Sequence, residues 1–268
     1  MLKIAALFLL LLNSTFAQAS GSFQLWQKGF KADSQLQARD IYVYLPPLYE
    51  QQASTYPTIY MHDGQNLFDP TRAYLGQTWQ AEKTLNYLIE NKVIEPVIVI
   101  ALDNTSQRIL DYTPSSTSQY GGGGAKLYLD MIVKTLIPRI EKEFRVNHTT
   151  DSRAIIGSSL GGLVSLYSMI SHPDSFGKVA ALSPSLWWDE KFMIKQLERS
   201  KFLAKKIWID SGSLENEILN DVLLLESYLI DRISASDFKT SIQNGADHSE
   251  KYWAQRLPFI LKFLFPKK

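Results

Sequence analysis

The pentapeptide Gly157-Ser158-Ser159-Leu160-Gly161 stands between a short apolar run, residues 153–156, and a helix-like run, residues 162–170. This order of strand, sharp turn and helix is the context in which the G-x-S-x-G spacing forms a nucleophile elbow. The turn lifts the serine hydroxyl clear of the sheet and points a helix N-terminus at the negative charge formed during attack. We therefore predict that Ser159 is a nucleophile; the alternative is a glycine-rich turn with an incidental serine.

Strand-like and helix-like segments alternate along the rest of the chain. Apolar, β-branched and aromatic runs predict strands at residues 23–30, 39–45, 57–61, 96–102, 153–156, 178–182, 206–210 and 238–242. Helices are predicted at residues 78–90, 125–144, 162–170, 215–233 and 249–265. The first two strands predict an antiparallel hairpin at the sheet edge. The alternation that follows predicts an α/β fold, in which helices cover both faces of a mostly parallel central sheet.

Two features interrupt this alternation. Residues 104–124 show no periodicity and end in four glycines, and a structureless connection of this length is usually functional or disordered. Pro138 lies inside the predicted helix 125–144 and predicts a kink there. Ligands on such sheets bind beyond the carboxyl ends of the strands, so the polar residues that follow each strand are the candidates for a site.

Composition excludes several classes of function. The 268 residues, 45% hydrophobic and 21% charged, fit one large α/β domain. The net charge is +1 and no basic block is present, which argues against nucleic acid or an anionic membrane as a partner. The chain has no cysteine, so disulfides, thiolate metal sites and cysteine nucleophiles are excluded. We predict no cofactor and no metal.

The first 19 residues are typical of a secretory signal peptide. Met1-Leu2-Lys3 supplies a positive start, residues 4–12 are an unbroken apolar run, and Ala17-Gln18-Ala19 offers a cleavage site. The alternative, a membrane anchor, needs about 20 apolar residues, more than this run contains. We therefore predict a mature chain that begins at Ser20, forms one domain over residues 20–268, and is secreted or periplasmic without membrane attachment.

Four histidines are candidates for the base that Ser159 needs. His148 and His172 follow helices, at the end of the sheet opposite to the predicted elbow. His62 lies at the correct end, but on the loop suited to an oxyanion hole. His248 follows the last strand at the correct end, and it alone fits the chain order Ser, acid, His of α/β hydrolases. We predict His248 as the base; the alternative is a surface or helix-cap histidine.

The acid that would orient this histidine is expected near the end of the strand at residues 206–210. The candidates are Asp210, Glu215, Glu217 and Asp221. Asp210 lies within its strand, whereas Glu217 and Asp221 lie in a helix, where charged side chains usually face solvent. Glu215 lies where the turn meets that helix, and we predict that it is the acid; its alternative is a first-turn residue favoured by the helix dipole. The sequence is also compatible with Asp247 as the acid, or with a Ser–His dyad that has no acid.

The oxyanion hole should combine two backbone N–H groups. One belongs to Leu160, the residue after the predicted nucleophile, and the other to the loop that follows the strand at residues 57–61. We predict Gln65 as this second donor, with Gly64 as the alternative.

Three further residues are predicted to bind substrate. Arg108 would meet an anionic group, or else pair with Asp111. Trp187 and Trp188 would line the pocket with residues 104–124, where they suit an aromatic acyl group or a sugar face. Packing of the two tryptophans under a loop is the alternative.

These segments together resemble the family of α/β-hydrolase esterases that includes enterochelin esterase-like and esterase D-like proteins. The stretches that carry the resemblance are residues 60–69, Arg108 with 111–114, 121–124, 156–162 and 183–188. The resemblance implies an α/β-hydrolase fold and a serine carboxylic-ester hydrolase without a cofactor. It implies Ser159 as nucleophile and His248 as base, and it supports Glu215 as the acid. His62 stands where many relatives have an apolar residue.

The sequence therefore predicts an exported serine esterase that acts through an acyl-enzyme on a small-molecule or carbohydrate ester. Siderophore esters, polysaccharide-linked esters and short acyl esters are all compatible with it. An acyltransferase with the same triad is one alternative, because resembling mycolyl-transfer enzymes use an alcohol in place of water. A non-catalytic binding protein on the same fold is a second alternative.

Overall fold

A computed structural model describes residues 20–200 and 206–267 of the chain. The predicted signal peptide, residues 1–19, lies outside the described residues. Within them, eight strands form one sheet in the order β1-β2-β4-β3-β7-β8-β9-β10. The strands are β1 (Ser22–Phe30), β2 (Arg39–Leu45), β3 (Thr58–Met61), β4 (Ile98–Leu102), β7 (Arg153–Ser158), β8 (Lys178–Leu182), β9 (Lys206–Gly212) and β10 (Phe238–Gln243).

The sheet is antiparallel only at its N-terminal edge. Strand β1 pairs with β2, and β2 with β4, in antiparallel fashion. The other neighbours pair in parallel: β4 with β3, β3 with β7, β7 with β8, β8 with β9, and β9 with β10. The predicted hairpin and mostly parallel sheet are thus confirmed. Because parallel strands end at one edge, the loops after β3, β7, β8, β9 and β10 meet there.

Helices cover both faces of the sheet. They are α1 (Ala81–Glu90), α2 (Arg108–Tyr112), α3 (Ala125–Met131), α4 (Ile137–Glu143), α5 (Leu160–Ser171), α6 (Trp188–Arg199), α7 (Asn216–Leu229) and α8 (Glu250–Leu264). Alternate residues of the fully buried β4 face opposite sides. Ile98 and Ile100 pack in a core with α3 to α7, and Val99 and Ala101 in a second core with α1 and α8. None of the helices in the described ranges is long and apolar enough to cross a membrane.

The segment at residues 104–124 is more ordered than its composition predicts. It contains α2 and a separate two-stranded hairpin, β5 (Ser116–Thr117) with β6 (Gly121–Gly122). The glycines make this hairpin feasible: Gly122 has φ +97°, and a Cβ there would lie 2.3 Å from Thr113 Oγ1. Helix α6 is not among the predicted helices; its first turn is irregular, with left-handed φ values at Asp189, Glu190 and Lys191.

The predicted interruption at Pro138 takes the form of a widened turn. A π-helical stretch, Ile132–Leu136, joins α3 to α4, and Pro138 lies in the first turn of α4. Proline has no N–H to donate to the preceding turn and its ring crowds that turn. The π-helical turn accommodates the missing hydrogen bond and the bulk of the ring while the helix continues from α3 into α4.

Candidate active site

Ser159 lies at the turn between β7 and α5 with φ 57° and ψ −123°. This strained conformation is characteristic of a nucleophile elbow. The Ser159 N–H donates to the Leu182 carbonyl of β8 at 2.9 Å, which ties the turn to the neighbouring strand. A Cβ on Gly157 would lie 2.5 Å from the carbonyl carbon of Gly161, so glycine is required where the helix returns over the strand. The spacing of the pentapeptide therefore has a steric cause.

His248 follows β10 and contacts the side chain of Glu215. Its Nδ1 lies 3.0 Å from Glu215 Oε2, and its ring meets the Trp253 ring edge-on at 5.0 Å between centroids. An ionised carboxylate only accepts hydrogen bonds, so Nδ1 must carry the proton of this contact. Nε2 is then the nitrogen that can accept a proton from a nucleophile.

Glu215 is held as a carboxylate by several donors. Its Oε1 accepts hydrogen bonds from Ser183 Oγ at 2.8 Å and from the Gly212 N–H at 2.9 Å. Burial opposes ionisation, but the hydrogen bonds from His248, Ser183 and Gly212 outweigh it and hold the Glu215 pKa below its usual range. Ser183 in turn accepts from Trp253 Nε1 and Arg256 Nη2. A fixed, charged acceptor therefore faces His248.

The other acid candidates are engaged elsewhere. Asp210 is fully buried and pairs with Arg256 Nε at 3.2 Å; burial, only partly offset by Arg256, raises its pKa to about 6. Asp221 pairs with Lys191 at 2.7 Å, Glu217 is exposed, and Asp247 accepts from the Ser249 hydroxyl at 2.6 Å.

The remaining histidines have separate partners. His148 lies 3.4 Å from Glu141, and His172 lies 2.9 Å from Asp130. His62 is buried, and its Nδ1 lies 2.8 Å from the Tyr128 hydroxyl. Burial lowers the His62 pKa to about 3, so this ring is neutral and structural.

The loop after β3 begins with a residue in left-handed conformation. Asp63 has φ 54°, and its N–H donates to the Tyr112 hydroxyl at 3.2 Å. A Cβ on Gly64 would lie 2.8 Å from the Leu102 carbonyl carbon, which requires glycine there. Gln65 follows and lines the same cavity as Ser159, with its Oε1 accepting from the Asn104 N–H at 3.1 Å. The geometry is compatible with Gln65 and Leu160 as donors, and their role stays a prediction.

Arg108 is predicted to meet an anionic group of the substrate, or else to pair with Asp111; the second alternative is wrong, and the first stays a prediction. Arg108 lines the cavity but binds Asp63 in bidentate fashion, Nε to Oδ1 and Nη2 to Oδ2, both at 2.8 Å. Asp111, on the buried side of α2, instead pairs with Arg39 at 2.8 Å. Burial opposes ionisation of Asp63, but the Arg108 charge outweighs it and lowers the Asp63 pKa. Arg108 therefore fastens the predicted oxyanion loop to α2.

The two tryptophans are predicted to line the pocket, or else to pack under a loop, and the structure shows the second arrangement for Trp188. Trp188 is buried, donates from Nε1 to the Ser115 carbonyl at 3.0 Å, and packs under the β5–β6 hairpin. Trp187 is 40% exposed and meets Tyr120 edge-on. Neither borders the cavity at Ser159.

The cavity beside Ser159 has a volume of about 380 Å³. Most of the residues that line it have polar side chains; the lining residues are Asp63, Gln65, Asn66, Tyr74, Asn104, Arg108, Ser158, Ser159, His248, Glu250 and Trp253. It thus joins the predicted nucleophile, the predicted base and the predicted oxyanion loop in one space.

Several residues of this site were not singled out from the sequence. Ser183 orients Glu215, Ser185 Oγ lies 3.2 Å from Ser159 Oγ, and Glu250 borders the cavity. The available signal was position, since each follows a strand at its carboxyl end. Position alone did not separate these side chains from ordinary turn residues.

Comparison with known proteins gives a consistent picture. The family model described as Putative esterase matches residues 34–264. Uncharacterized protein YbbA of Bacillus subtilis is 26% identical over 256 residues, 90% of this chain and 98% of YbbA. Ferri-bacillibactin esterase BesA of the same species is 31% identical over 183 residues, 60% of each chain. The solved IroE-like serine hydrolase from Shewanella oneidensis superimposes with a TM-score of 0.74 at 22% identity, covering 91% of this chain and 80% of that one. These solved and curated relatives support the α/β-hydrolase fold.

Proposed function

The chain belongs to this esterase family and is a carboxylic ester hydrolase, and we propose that it works through a Ser159–His248–Glu215 triad and an acyl-enzyme. The observation that carries the proposal is the 3.0 Å contact between His248 Nδ1 and Glu215 Oε2 at the cavity that Ser159 lines. A buried ionised acid, a histidine with one nitrogen left to accept a proton, and a strained serine together suit nucleophilic acyl transfer.

In the proposed mechanism, His248 Nε2 takes the Ser159 proton as Oγ attacks the ester carbonyl. The backbone N–H groups of Leu160 and Gln65 stabilise the resulting oxyanion, aided by the N-terminus of α5. The protonated imidazole then donates its proton to the departing alkoxide. Water, deprotonated by His248, attacks the acyl-enzyme, and collapse of the second oxyanion releases the acid and restores Ser159.

Labelling with a fluorophosphonate tests this proposal. An activated serine should form one adduct per chain, located at Ser159 by peptide mass spectrometry, because Oγ displaces fluoride only when a base accepts its proton. Acid-denatured protein, which has no assembled site, is the control. Absence of the adduct in folded protein, or an adduct only at Ser185, would contradict the assignment.

The named relatives bear on the substrate. BesA is named for a ferric siderophore, so a siderophore ester is one candidate. A polysaccharide-linked ester or a short acyl ester is equally compatible with a polar cavity of about 380 Å³.

We further propose that residues 20–268 act as one domain, exported to the periplasm or medium after removal of residues 1–19. The basic start, apolar run and Ala17-Gln18-Ala19 support this proposal. N-terminal sequencing of protein recovered outside the cytoplasm should give Ser20 as the first residue. Recovery of exported protein that still begins at Met1 would contradict the cleavage.

A further inference from the structure

Three charged side chains border the cavity at Ser159: Asp63, Arg108 and Glu250. Two of them neutralise each other. Arg108 places Nε and Nη2 on the two oxygens of Asp63 at 2.8 Å, and Asn104 Nδ2 also donates to Asp63 Oδ1, at 2.6 Å. A bidentate pair of this kind is a strong, oriented contact. Arg108 is therefore already committed to a carboxylate and offers little net positive charge to a bound anion.

Glu250 is the third charged side chain at the cavity, and the Asp63–Arg108 pair leaves its charge unbalanced. It is the first residue of α8, two positions after His248, and its carboxylate is half-buried at the cavity wall. The structure gives this carboxylate one side-chain hydrogen bond, from Asn66 Nδ2 to Oε1 at 3.3 Å. Over the described ranges 20–200 and 206–267, no lysine or arginine forms an ion pair with it. Burial raises the Glu250 pKa, and its own backbone N–H, His248 and Arg108 offset this only in part.

We propose that Glu250 sets the charge specificity of this site, so that the enzyme acts on neutral or cationic esters and discriminates against anionic ones. The inference rests on the proposed function, because it places the substrate in the cavity beside Ser159. Among the charged side chains of the lining, the two carboxylates of Asp63 and Glu250 outnumber the one cation, Arg108. An anionic substrate would therefore be repelled, and like charges repel more strongly in a partly desolvated cavity than in water. The substrate favoured is an ester of an uncharged sugar or alkyl alcohol, or one with a positively charged group.

A multiply anionic ferric catecholate complex would be a poor substrate for this site. The Glu250 carboxylate would face it, and the charge of Arg108 is already balanced by Asp63. The same carboxylate would attract a cationic group bound in the cavity. Charge specificity would therefore favour a polysaccharide-linked or short acyl ester over an anionic ferric siderophore ester, whereas the family resemblance is compatible with all three.

Two matched ester pairs test the proposal at pH 8. The acyl pair is p-nitrophenyl hexanoate, which is neutral, and mono-p-nitrophenyl glutarate, which is anionic. The alcohol pair is 3,3-dimethylbutyl butyrate and its cationic isostere, butyrylcholine. For each pair the ratio of kcat/KM is compared between the wild-type enzyme, Glu250→Gln and Asp247→Asn. Asp247 is an exposed carboxylate next to His248 that lies outside the cavity lining, so Asp247→Asn controls for a general change of charge.

We expect the wild-type preference for the hexanoate over the glutarate to fall about fivefold to tenfold in Glu250→Gln. The preference for the choline ester should fall in the same variant. In Asp247→Asn both ratios should change by less than about twofold, because water screens an exposed charge. Raising NaCl from 0.05 to about 0.5 M should shrink the wild-type ratios as well, and this measurement needs no folded variant.

The failures of this proposal and of the proposed function are distinguishable. Ratios that neither Glu250→Gln nor salt changes, in an enzyme whose hydrolysis depends on Ser159, would overturn the charge specificity alone. A wild-type preference for the glutarate over the hexanoate would overturn it as well. Hydrolysis that persists in Ser159→Ala would overturn the proposed function instead.

Discussion

Replacement of Ser159 by alanine is expected to lower kcat/KM for p-nitrophenyl acetate by about 10⁴-fold, roughly 5 kcal/mol of transition-state stabilisation. The alanine has no Oγ to form the acyl-enzyme, so the remaining reaction relies on water and the oxyanion donors. Stability should change little, because alanine at φ 57° is strained as serine is. Ser159→Gly, which relieves this strain, should raise the free energy of unfolding by about 1 kcal/mol and be equally inactive.

Ser185→Ala is the matched control for this experiment. Its hydroxyl, on the loop after β8, lies 3.2 Å from Ser159 Oγ and so contacts the predicted nucleophile directly. Removing it takes away a neighbouring hydrogen-bonding group but no reacting atom, so the loss should not exceed about tenfold. Steady-state kinetics with urea unfolding on the same samples makes the comparison. A Ser159→Ala enzyme that retains more than about 1% of wild-type kcat/KM would contradict the nucleophile assignment.

The parts of the site that depend on local geometry could be predicted from the sequence. The elbow can be predicted because three features coincide in the nine residues 153–161: a strand, a turn, and glycine at position 157, which meets Gly161. Glu215 and His248 were selected by chain order and by the sheet edge to which parallel strands deliver their loops. The structure brings their side chains into contact at 3.0 Å.

Features set by contacts between distant segments could not be predicted. Arg108 was expected to bind substrate or Asp111, but its partner Asp63 is 45 residues away and depends on how α2 docks on the loop after β3. Two adjacent tryptophans carry no sequence signal for which one is buried, and Trp188 is held by contacts with a segment more than 60 residues earlier in the chain, among them the hydrogen bond to the Ser115 carbonyl. The charge of the cavity likewise depends on which ions have partners, and composition does not contain that information.

Replacement of Glu215 by glutamine is expected to lower kcat by about 10³- to 10⁴-fold. The carboxylate accepts hydrogen bonds on both oxygens: Oε2 from His248, and Oε1 from Ser183 and the Gly212 N–H. Glutamine has one acceptor and one donor in their place. If its NH₂ faces His248, Nδ1 must accept, the proton moves to Nε2, and the imidazole can no longer take a proton from serine. If its NH₂ faces Gly212, two buried donors oppose each other.

Glu217→Gln, two residues further on at the exposed surface of α7, is the control and should retain kcat within about twofold. A Glu215→Gln enzyme within about threefold of wild-type kcat would instead favour a Ser–His dyad. The kinetics are measured by the initial rates of p-nitrophenyl acetate hydrolysis at saturating substrate.

Glu215→Gln should also change the free energy of unfolding in a pH-dependent way. Burial raises the pKa of the Glu215 carboxylate, but the hydrogen bonds that it accepts outweigh burial and hold this pKa below the value in an unfolded chain, about 4.3. A depressed pKa of an acid contributes stability that is fully present above the unfolded pKa and is lost as the pH falls through the folded pKa. Glu215→Gln should therefore reduce the free energy of unfolding by about 1–3 kcal/mol at pH 7. That difference should narrow in urea unfolding below about pH 4. A difference that stayed constant down to pH 3 would mean that Glu215 is not held as a buried carboxylate, and the charged acceptor that the triad requires would be missing.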